Sequence, residues 1–182
     1  MKKYILLTCT LWTMHSFTAT AKIYPNTPEQ KRLDIELLDT VSANPTPEDI
    51  KRLLKNDADP NAQDLFKQTA LINACGNQKI SSEILFKIIK ILLDAGANPN
   101  AQDQLGCTAL MYMCANKNVS PDIIRILLKA KADVNAQGGL LKKTALISAC
   151  ENSNTSPDII RILLKAGADV YKQDFQGNTA IN

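Results

Sequence analysis

The chain has 182 residues, enough for one domain, and a formal charge of +3 at pH 7. Two of these charges come from Lys2 and Lys3, so the chain beyond residue 21 carries only +1. A nearly neutral chain gives no electrostatic reason to expect binding to nucleic acid or to an anionic membrane.

The first 21 residues are typical of a secretory signal peptide. Two lysines form the charged start, residues 4–12 form a short and largely apolar core, and Ala19-Thr20-Ala21 matches an A-x-A cleavage site. The apolar run is too short to span a bilayer, and the alternative is a buried N-terminal helix. The order of the three regions favours export, with cleavage after Ala21. The mature protein is then secreted or periplasmic, without a membrane anchor.

Loss of this segment removes Trp12 and His15, which are the only tryptophan and the only histidine. Without histidine, a Ser-His-Asp or Cys-His mechanism and a histidine-containing zinc site are excluded. The carboxylates form no catalytic pair, and no G-K-[ST] sequence follows Gly138-Gly139. We therefore predict no catalytic, cofactor-binding or metal-binding residue, and an enzyme is a distant alternative.

Two helix starts open the mature chain, at Thr27-Pro28-Glu29 and at Thr46-Pro47-Glu48. Apolar residues at helical spacing predict that the first helix runs to about Ala43. This helix lacks the pattern that recurs later in the chain. We interpret residues 22–63 as a helical N-terminal cap repeat, because terminal repeats are atypical in proteins built from repeats.

A fifteen-residue block then occurs twice. Ser120–Val134 reads SPDIIRILLKAKADV and Ser156–Val170 reads SPDIIRILLKAGADV, with fourteen identical positions at an offset of 36 residues. In each copy Ser can cap a helix whose first residue is Pro, and Gly167 ends the second helix in a left-handed conformation. Lys131 occupies the same slot, so it is predicted to be left-handed and strained. The apolar positions cover so wide an arc that the helix must pack on more than one side.

Related blocks precede these two, and each block leads to a Thr-Ala-Leu or Thr-Ala-Ile triplet. The triplets begin at Thr69, Thr108, Thr144 and Thr179, at intervals of 39, 36 and 35 residues. This order resembles the ankyrin repeat, a turn and two helices of about 33 residues with a T-P-L-H-x-A signature. Here Ala replaces the Pro of that signature. The His of the signature is replaced by Ile72, Met111 and Ile147.

The resemblance covers about residues 45–182 and implies an all-α ankyrin-repeat solenoid of helix-turn-helix units with short β-hairpin fingers. The implied repeats are residues 64–102, 103–137 and 138–173. Residues 174–182 are a truncated C-terminal repeat, cut off within its first helix. The outer face of the third repeat is then poorly covered, so we expect a monomer unless this face pairs.

Three cysteines, Cys75, Cys114 and Cys150, each lie six residues after a repeat threonine. A metal or disulfide cluster is one interpretation, and three small buried residues are the other. Helices pack about 8–10 Å apart, whereas a disulfide needs Cα atoms within about 7 Å, so we favour buried free thiols. Cys107 is expected to be partly exposed and to be the only easily modified thiol.

The resemblance also implies where a partner protein is held, namely at the hairpin tips and on the concave side of the first helices. The implied tip residues are Leu65, Phe66, Lys67, Leu105, Leu140, Leu141, Lys142 and Phe175. The implied concave residues are Asn73, Asn77, Tyr112, Asn116, Ser148, Glu151 and Asn152. The Asp residues that open the turns, such as Asp64, accept backbone hydrogen bonds in the family. The apolar tips either form an interaction site or fold back onto the neighbouring hairpin.

Together these features predict an exported module that binds another protein and not nucleic acid, and a secreted effector is the first interpretation of its role. A periplasmic inhibitor or protective factor is the alternative. The short Met-Lys-Lys start and the frequent Lys, Ile and Asn residues suggest a bacterial export system.

Overall fold

The computed structural model describes residues 27–43 and 45–181. These residues form eight helices: α1 Pro28–Ser42, α2 Pro47–Lys55, α3 Ala70–Gly76, α4 Ser82–Asp94, α5 Ala109–Ala115, α6 Pro121–Lys129, α7 Ala145–Glu151 and α8 Pro157–Lys165. The extended structure in the described ranges is one isolated antiparallel bridge, between Gly138 and Lys143. None of the described helices combines the length and the apolar character that crossing a bilayer requires. The predicted signal peptide, including Cys9, lies outside the described residues.

The helices form two stacked layers. Helices α1, α3, α5 and α7 contact one another in sequence order and form the inner layer, while α2, α4, α6 and α8 form the outer layer. Each inner helix also contacts the outer helix that follows it in the chain. The helix-turn-helix solenoid implied by the repeats is therefore confirmed. The signal that predicts it is local, because each unit carries its own start, apolar stripe and stop.

The helix starts follow the capping residues of the sequence. The hydroxyls of Thr27, Thr46, Thr69, Ser120 and Thr144 each accept a hydrogen bond from the backbone N–H three residues later. Pro occupies the first turn of α1, α2, α6 and α8, where a missing N–H costs nothing. The extra residues between the inner and outer helices form loops and leave the stack intact.

The two copies of the fifteen-residue block fold alike but are buried differently. In α6, Ile123, Ile124 and Leu127 are buried. In α8 only Ile159 and Leu163 are buried. The cause is position, because α6 is packed between α4 and α8, whereas α8 has an outer-helix neighbour only on the α6 side among the described residues.

The burial of the repeat cysteines also decreases toward the C-terminal end of the stack. Cys75 and Cys114 are buried, but Cys150 is exposed, so the predicted burial of all three was wrong at Cys150. This cysteine lies on the face of α7 where, among the described residues, no further inner helix is stacked. Cys107 is half-buried, as expected. It is not the most accessible thiol, because Cys150 is more exposed.

The ends of the outer helices α4, α6 and α8 are each tied to the preceding repeat by one asparagine. The amide nitrogen of Asn61 donates to Gly96 O at 3.0 Å, and its oxygen accepts from Asn98 N at 2.7 Å. Asn100 does the same for residues 131 and 133, and Asn135 for residues 167 and 169. In the N-terminal cap, Gln30 and Asp34 of α1 share this role, donating to residue 57 and accepting from residue 59.

The residue whose carbonyl oxygen accepts each of these hydrogen bonds has a left-handed backbone conformation, as predicted. Its φ is +69° at Asp57 and +70° at Lys131, close to the +89° and +87° of Gly96 and Gly167. Asp tolerates this region better than Lys does, because its short side chain can hydrogen-bond locally. Lys131 is therefore strained, with a Cβ where its sister repeats have none.

Candidate functional site

Four short turns project from one edge of the solenoid, and we call them fingers 1 to 4: residues 64–68, 103–107, 138–143 and 174–178. Each finger is closed by a hydrogen bond from its first N–H to its last carbonyl, such as the one of 3.1 Å between residues 64 and 68. In fingers 1, 2 and 4 the opening Asp also accepts from two N–H groups within the turn. Its Oδ1 lies 2.8–2.9 Å from the nitrogens two and four residues later. The expected role of these carboxylates is confirmed.

The environment of Asp174 is consistent with this role. Desolvation favours the neutral carboxyl, but hydrogen bonds from Asn178 and Gln176 outweigh it and hold the pKa of Asp174 below its ordinary value. The carboxylate therefore stays charged and bound to its turn.

Finger 3 departs from this pattern, because Gly138-Gly139 replaces the opening Asp. A Cβ at Gly138 would clash with the carbonyl group of Gly106, so finger 3 lies directly against finger 2. The side-chain amide of Gln137 donates to Lys142 O and to Gln173 O, at 2.9 and 2.8 Å. Close backbone approach thus explains the first glycine.

Backbone hydrogen bonds join the four fingers into one row. Gln104 N donates to Phe66 O at 2.9 Å, Gly139 N to Leu105 O at 3.0 Å, and Phe175 N to Leu141 O at 2.7 Å. Each bond runs from one finger to the finger before it. The tips are therefore held in register by the backbone rather than by the side chains that they present.

Most of the apolar side chains at the tips point into solvent. Leu65 is 96% exposed, Leu140 82% and Phe175 74%, and Phe66 and Leu105 are also exposed. Leu141 is the exception, because it is half-buried. The alternative that the tip side chains fold back onto the neighbouring hairpin therefore holds only for Leu141, and only in part. A row of exposed leucine and phenylalanine side chains on solvated turns is typical of an interaction surface.

An apolar groove of about 420 Å³ opens beside this row, between fingers 2 and 3 and the inner helices. Its lining includes Leu105, Tyr112, Leu140, Leu141 and Ser148. It therefore brings together tip residues and concave residues that the sequence assigned to one surface. Cys107 and Met111 add to its apolar floor, and sequence reasoning had not placed them there.

A second cavity of about 400 Å³ lies nearer the N-terminal cap. Asn73, Asn77 and Lys79 are among its lining residues. Tyr112 lines both cavities, so the two cavities adjoin at this residue.

Tyr112 is fixed in place by the turn beneath it. Its hydroxyl donates to Asp103 Oδ2 at 2.7 Å. Desolvation, followed by the hydrogen bond to Asp103 and its negative charge, raises the pKa of Tyr112 to about 12. Desolvation and the same carboxylate raise the pKa of Cys107 to about 11. Both groups stay neutral near pH 7, so the groove contains neither a thiolate nor a phenolate.

One of the predicted concave asparagines, Asn116, has a different role from the one predicted. Asn116 is only 1% exposed, and its amide nitrogen donates to Cys75 O at 2.8 Å and to Asn77 O at 3.1 Å. Asn152 makes the same pair of bonds to residues 114 and 116, and Asn77 to residues 41 and 42. Asn116 is therefore a structural residue whose side chain is inaccessible to a partner. The sequence signal was the recurrence of Asn directly after the inner helices α3, α5 and α7.

The remaining predicted residues lie along the same surface. Asn73 is half-buried and reaches Ser42 Oγ at 3.3 Å. Glu151 is exposed and pairs with Lys143 at 2.6 Å. Lys67 and Lys142 are exposed at the tips of fingers 1 and 3. In the described ranges no group of three His, Cys, Asp or Glu side chains could hold a metal ion.

A family model described as ankyrin repeats (3 copies) matches residues 82–174. This range is slightly more than half of the 182-residue chain and runs from α4 to the start of finger 4. The curated proteins contain no match to the chain.

Proposed function

Because this chain belongs to the ankyrin-repeat family, whose repeats indicate a protein–protein interaction module, we propose that its finger tips and groove bind one partner protein. We propose further that it is exported and acts as a secreted effector. The observation that carries the binding proposal is the row of exposed apolar tips beside an apolar groove. In water such a surface is unfavourable, and a partner would bury it.

The construction of the surface supports binding rather than chemistry. The fingers are joined by backbone hydrogen bonds, so a partner meets a preorganised surface and binding orders few groups. The hydroxyl and thiol groups of Tyr112 and Cys107, which line the groove, are neutral near pH 7. A catalytic base or nucleophile would instead need a pKa near the working pH.

The binding proposal is tested with the variant Leu65→Ser/Leu140→Ser. The purified protein is immobilised and exposed to periplasmic extract and to lysate of candidate host cells, and captured proteins are compared with those from the variant. We expect a partner that the wild type captures and the variant loses. The matched control is Ile35→Ser, because Ile35 is an exposed apolar residue of α1 and belongs to none of the fingers.

The thermal midpoint separates a lost contact from a damaged fold. Leu65 and Leu140 are mostly exposed, so serine should change the stability by less than about 0.5 kcal/mol, or about 2 °C for a chain of this size. Capture that is equal for all three proteins contradicts the proposal.

Export is tested separately by expressing the full chain in a bacterium with a general secretion pathway. We expect exported protein whose first residue is Lys22, because cleavage follows the A-x-A sequence. Protein that stays in the cytoplasm with residues 1–21 attached contradicts export but leaves the binding proposal standing. The source of the captured partner, periplasm or host, then distinguishes an effector from a periplasmic inhibitor.

A further inference from the structure

We propose that the partner docks as an acidic segment with apolar side chains, bridging fingers 1 and 3. This inference rests on the proposed function and specifies the chemistry of the partner. Finger 1 presents Leu65-Phe66-Lys67 and finger 3 presents Leu140-Leu141-Lys142. The two fingers therefore repeat one motif, two apolar residues followed by a lysine.

The two lysines occupy a position where the fold favours glycine. The corresponding residue of each finger donates its N–H to the carbonyl oxygen three residues earlier, at 2.9–3.1 Å. It is left-handed in all four fingers, with φ of +58° at Lys67, +79° at Gly106, +49° at Lys142 and +82° at Gly177. Fingers 2 and 4 use glycine at no steric cost, while fingers 1 and 3 use strained lysines.

The strained lysines present charge next to apolar surface. Both side chains are exposed, and neither ammonium group has an ion-pair partner among the described residues. Lys131 is also left-handed, but it lies between alanines at the end of an outer helix. Strain together with an exposed apolar neighbour is thus found at the two tips and not at Lys131, which makes Lys131 a natural control.

The acidic groups nearby are already engaged. The turn carboxylates of Asp64 and Asp103 accept backbone hydrogen bonds, and Asp103 also holds Tyr112. Glu151 is paired with Lys143. The charges of Lys67 and Lys142 therefore stand without a partner, and an acidic occupant complements them. The adjacent leucines favour a protein segment over nucleic acid, because they need an apolar counterpart.

The distance between the tips sets the spacing of the segment. Fingers 1 and 3 are two repeats apart, which is roughly 20 Å for helices that stack about 10 Å apart. An extended chain rises about 3.3 Å per residue, so about six residues cover this distance. The apolar groove lies between, beside finger 2. The matching segment carries two acidic residues about six positions apart, with apolar residues between them.

The test is a selection from a displayed library of random 16-residue peptides on the purified protein. We expect enriched peptides with Asp or Glu about six positions apart and Leu, Ile or Phe between them. The dissociation constant of the best peptide is then measured for wild type, for Lys67→Gly/Lys142→Gly and for Lys131→Gly.

The double variant should bind the peptide roughly 2- to 30-fold more weakly, which corresponds to two exposed ion pairs. The loss should shrink as salt rises from about 0.05 to about 0.5 M, because salt screens exposed charges. The Lys131→Gly control should bind like the wild type. All three glycine substitutions relieve strain, so both variants should melt at a higher temperature than the wild type. Binding and stability therefore move in opposite directions in the double variant.

Each other outcome overturns a specific statement. Enriched peptides without acidic residues, bound equally by the lysine variants but lost with Leu65→Ser/Leu140→Ser, overturn the acidic partner and leave the proposed function intact. Peptides insensitive to both sets of substitutions, or no enrichment on the wild type, overturn both. A labelled 20-nucleotide DNA that binds as tightly as the best peptide and depends on Lys67 and Lys142 overturns the assignment to a protein partner.

Discussion

Lys131 and Gly167 show how a side chain at one left-handed position affects the free energy of unfolding. They occupy the same position in nearly identical blocks, and both are left-handed. The carbonyl oxygen of each accepts a hydrogen bond from the side-chain amide of an asparagine in the preceding repeat. The difference is a Cβ, which costs about 1–2 kcal/mol in this region. The contact to Asn100 or Asn135 holds the backbone in place whichever residue is present.

Lys131→Gly should raise the free energy of unfolding by about 0.5–1 kcal/mol. Strain relief is partly offset by the greater freedom of glycine in the unfolded chain. Gly167→Lys should lower it by a similar or larger amount, and urea midpoints measure both. A destabilised Lys131→Gly variant would mean that the lysine side chain makes a contact that stabilises the fold.

Asn116 connects two consecutive inner helices through carbonyls 39 and 41 residues earlier in the chain. Asn116→Ala should therefore destabilise the protein by about 2–3 kcal/mol, because buried carbonyls lose their donor. Asn73→Ala is the control, since Asn73 makes a single bond of 3.3 Å to a side chain and should change little. Urea unfolding checks both, and a loss below about 0.5 kcal/mol for Asn116→Ala would refute its structural role.

At the scale of the helix, one sequence has two environments. Helices α6 and α8 are both PDIIRILLK, yet Ile124 is fully buried in α6 whereas its counterpart Ile160 in α8 is only half-buried. Leu164 of α8 is 44% exposed, while its counterpart Leu128 is half-buried. The helix itself is specified locally, but the number of faces that it buries depends on its neighbours.

The variants Ile124→Ala and Ile160→Ala measure how much this difference in burial contributes to stability. Both make the same substitution at the same position of the same helix sequence. Ile124→Ala should cost about 2–5 kcal/mol, as large-to-small substitutions in a core do. Ile160→Ala should cost less than half of that, because part of its side chain already meets water. Equal losses in chemical denaturation would show that α8 is covered as well as α6.

The reaction rates of the four thiols should show the same decrease in burial toward the C-terminal end of the stack. In the folded protein a thiol reagent should modify Cys150 first and Cys107 next, while Cys75 and Cys114 react only on unfolding. Partial desolvation and the charge of Glu151 raise the pKa of Cys150, so its modification should speed up only above the pH where an ordinary cysteine ionises. Mass spectrometry of peptides locates the label, and modification of Cys75 before Cys150 would contradict the stacking order.

At the scale of the whole molecule, the sequence predicts whatever each repeat carries within itself. The capping residues, the left-handed helix ends and the Asp turns recur locally, and the structure confirms them at Thr69, Asp57 and Asp64. Contacts between repeats are harder to predict, because a recurring residue does not reveal its partner. Asn116 was therefore assigned to the concave surface, although its amide is buried against the preceding repeat.

The end of the array was predicted wrongly for a related reason. A residue at an equivalent position of each repeat has the same environment only if another repeat packs against it. No further inner helix packs against Cys150 among the described residues. The binding surface was predictable in outline from the tips. Its apolar floor, with Cys107 and Met111, depends on how finger 3 lies against finger 2 at Gly138.

The central claim is that the partner binds the fingers and groove, and hydrogen–deuterium exchange of the protein with and without its captured partner tests it most directly. Binding should slow exchange in fingers 1 to 3 and in the inner helix α5, which carries Tyr112. Exchange in α6 and α8 should be unchanged. Slowed exchange confined to the outer helices, with the fingers unaffected, would contradict the claim.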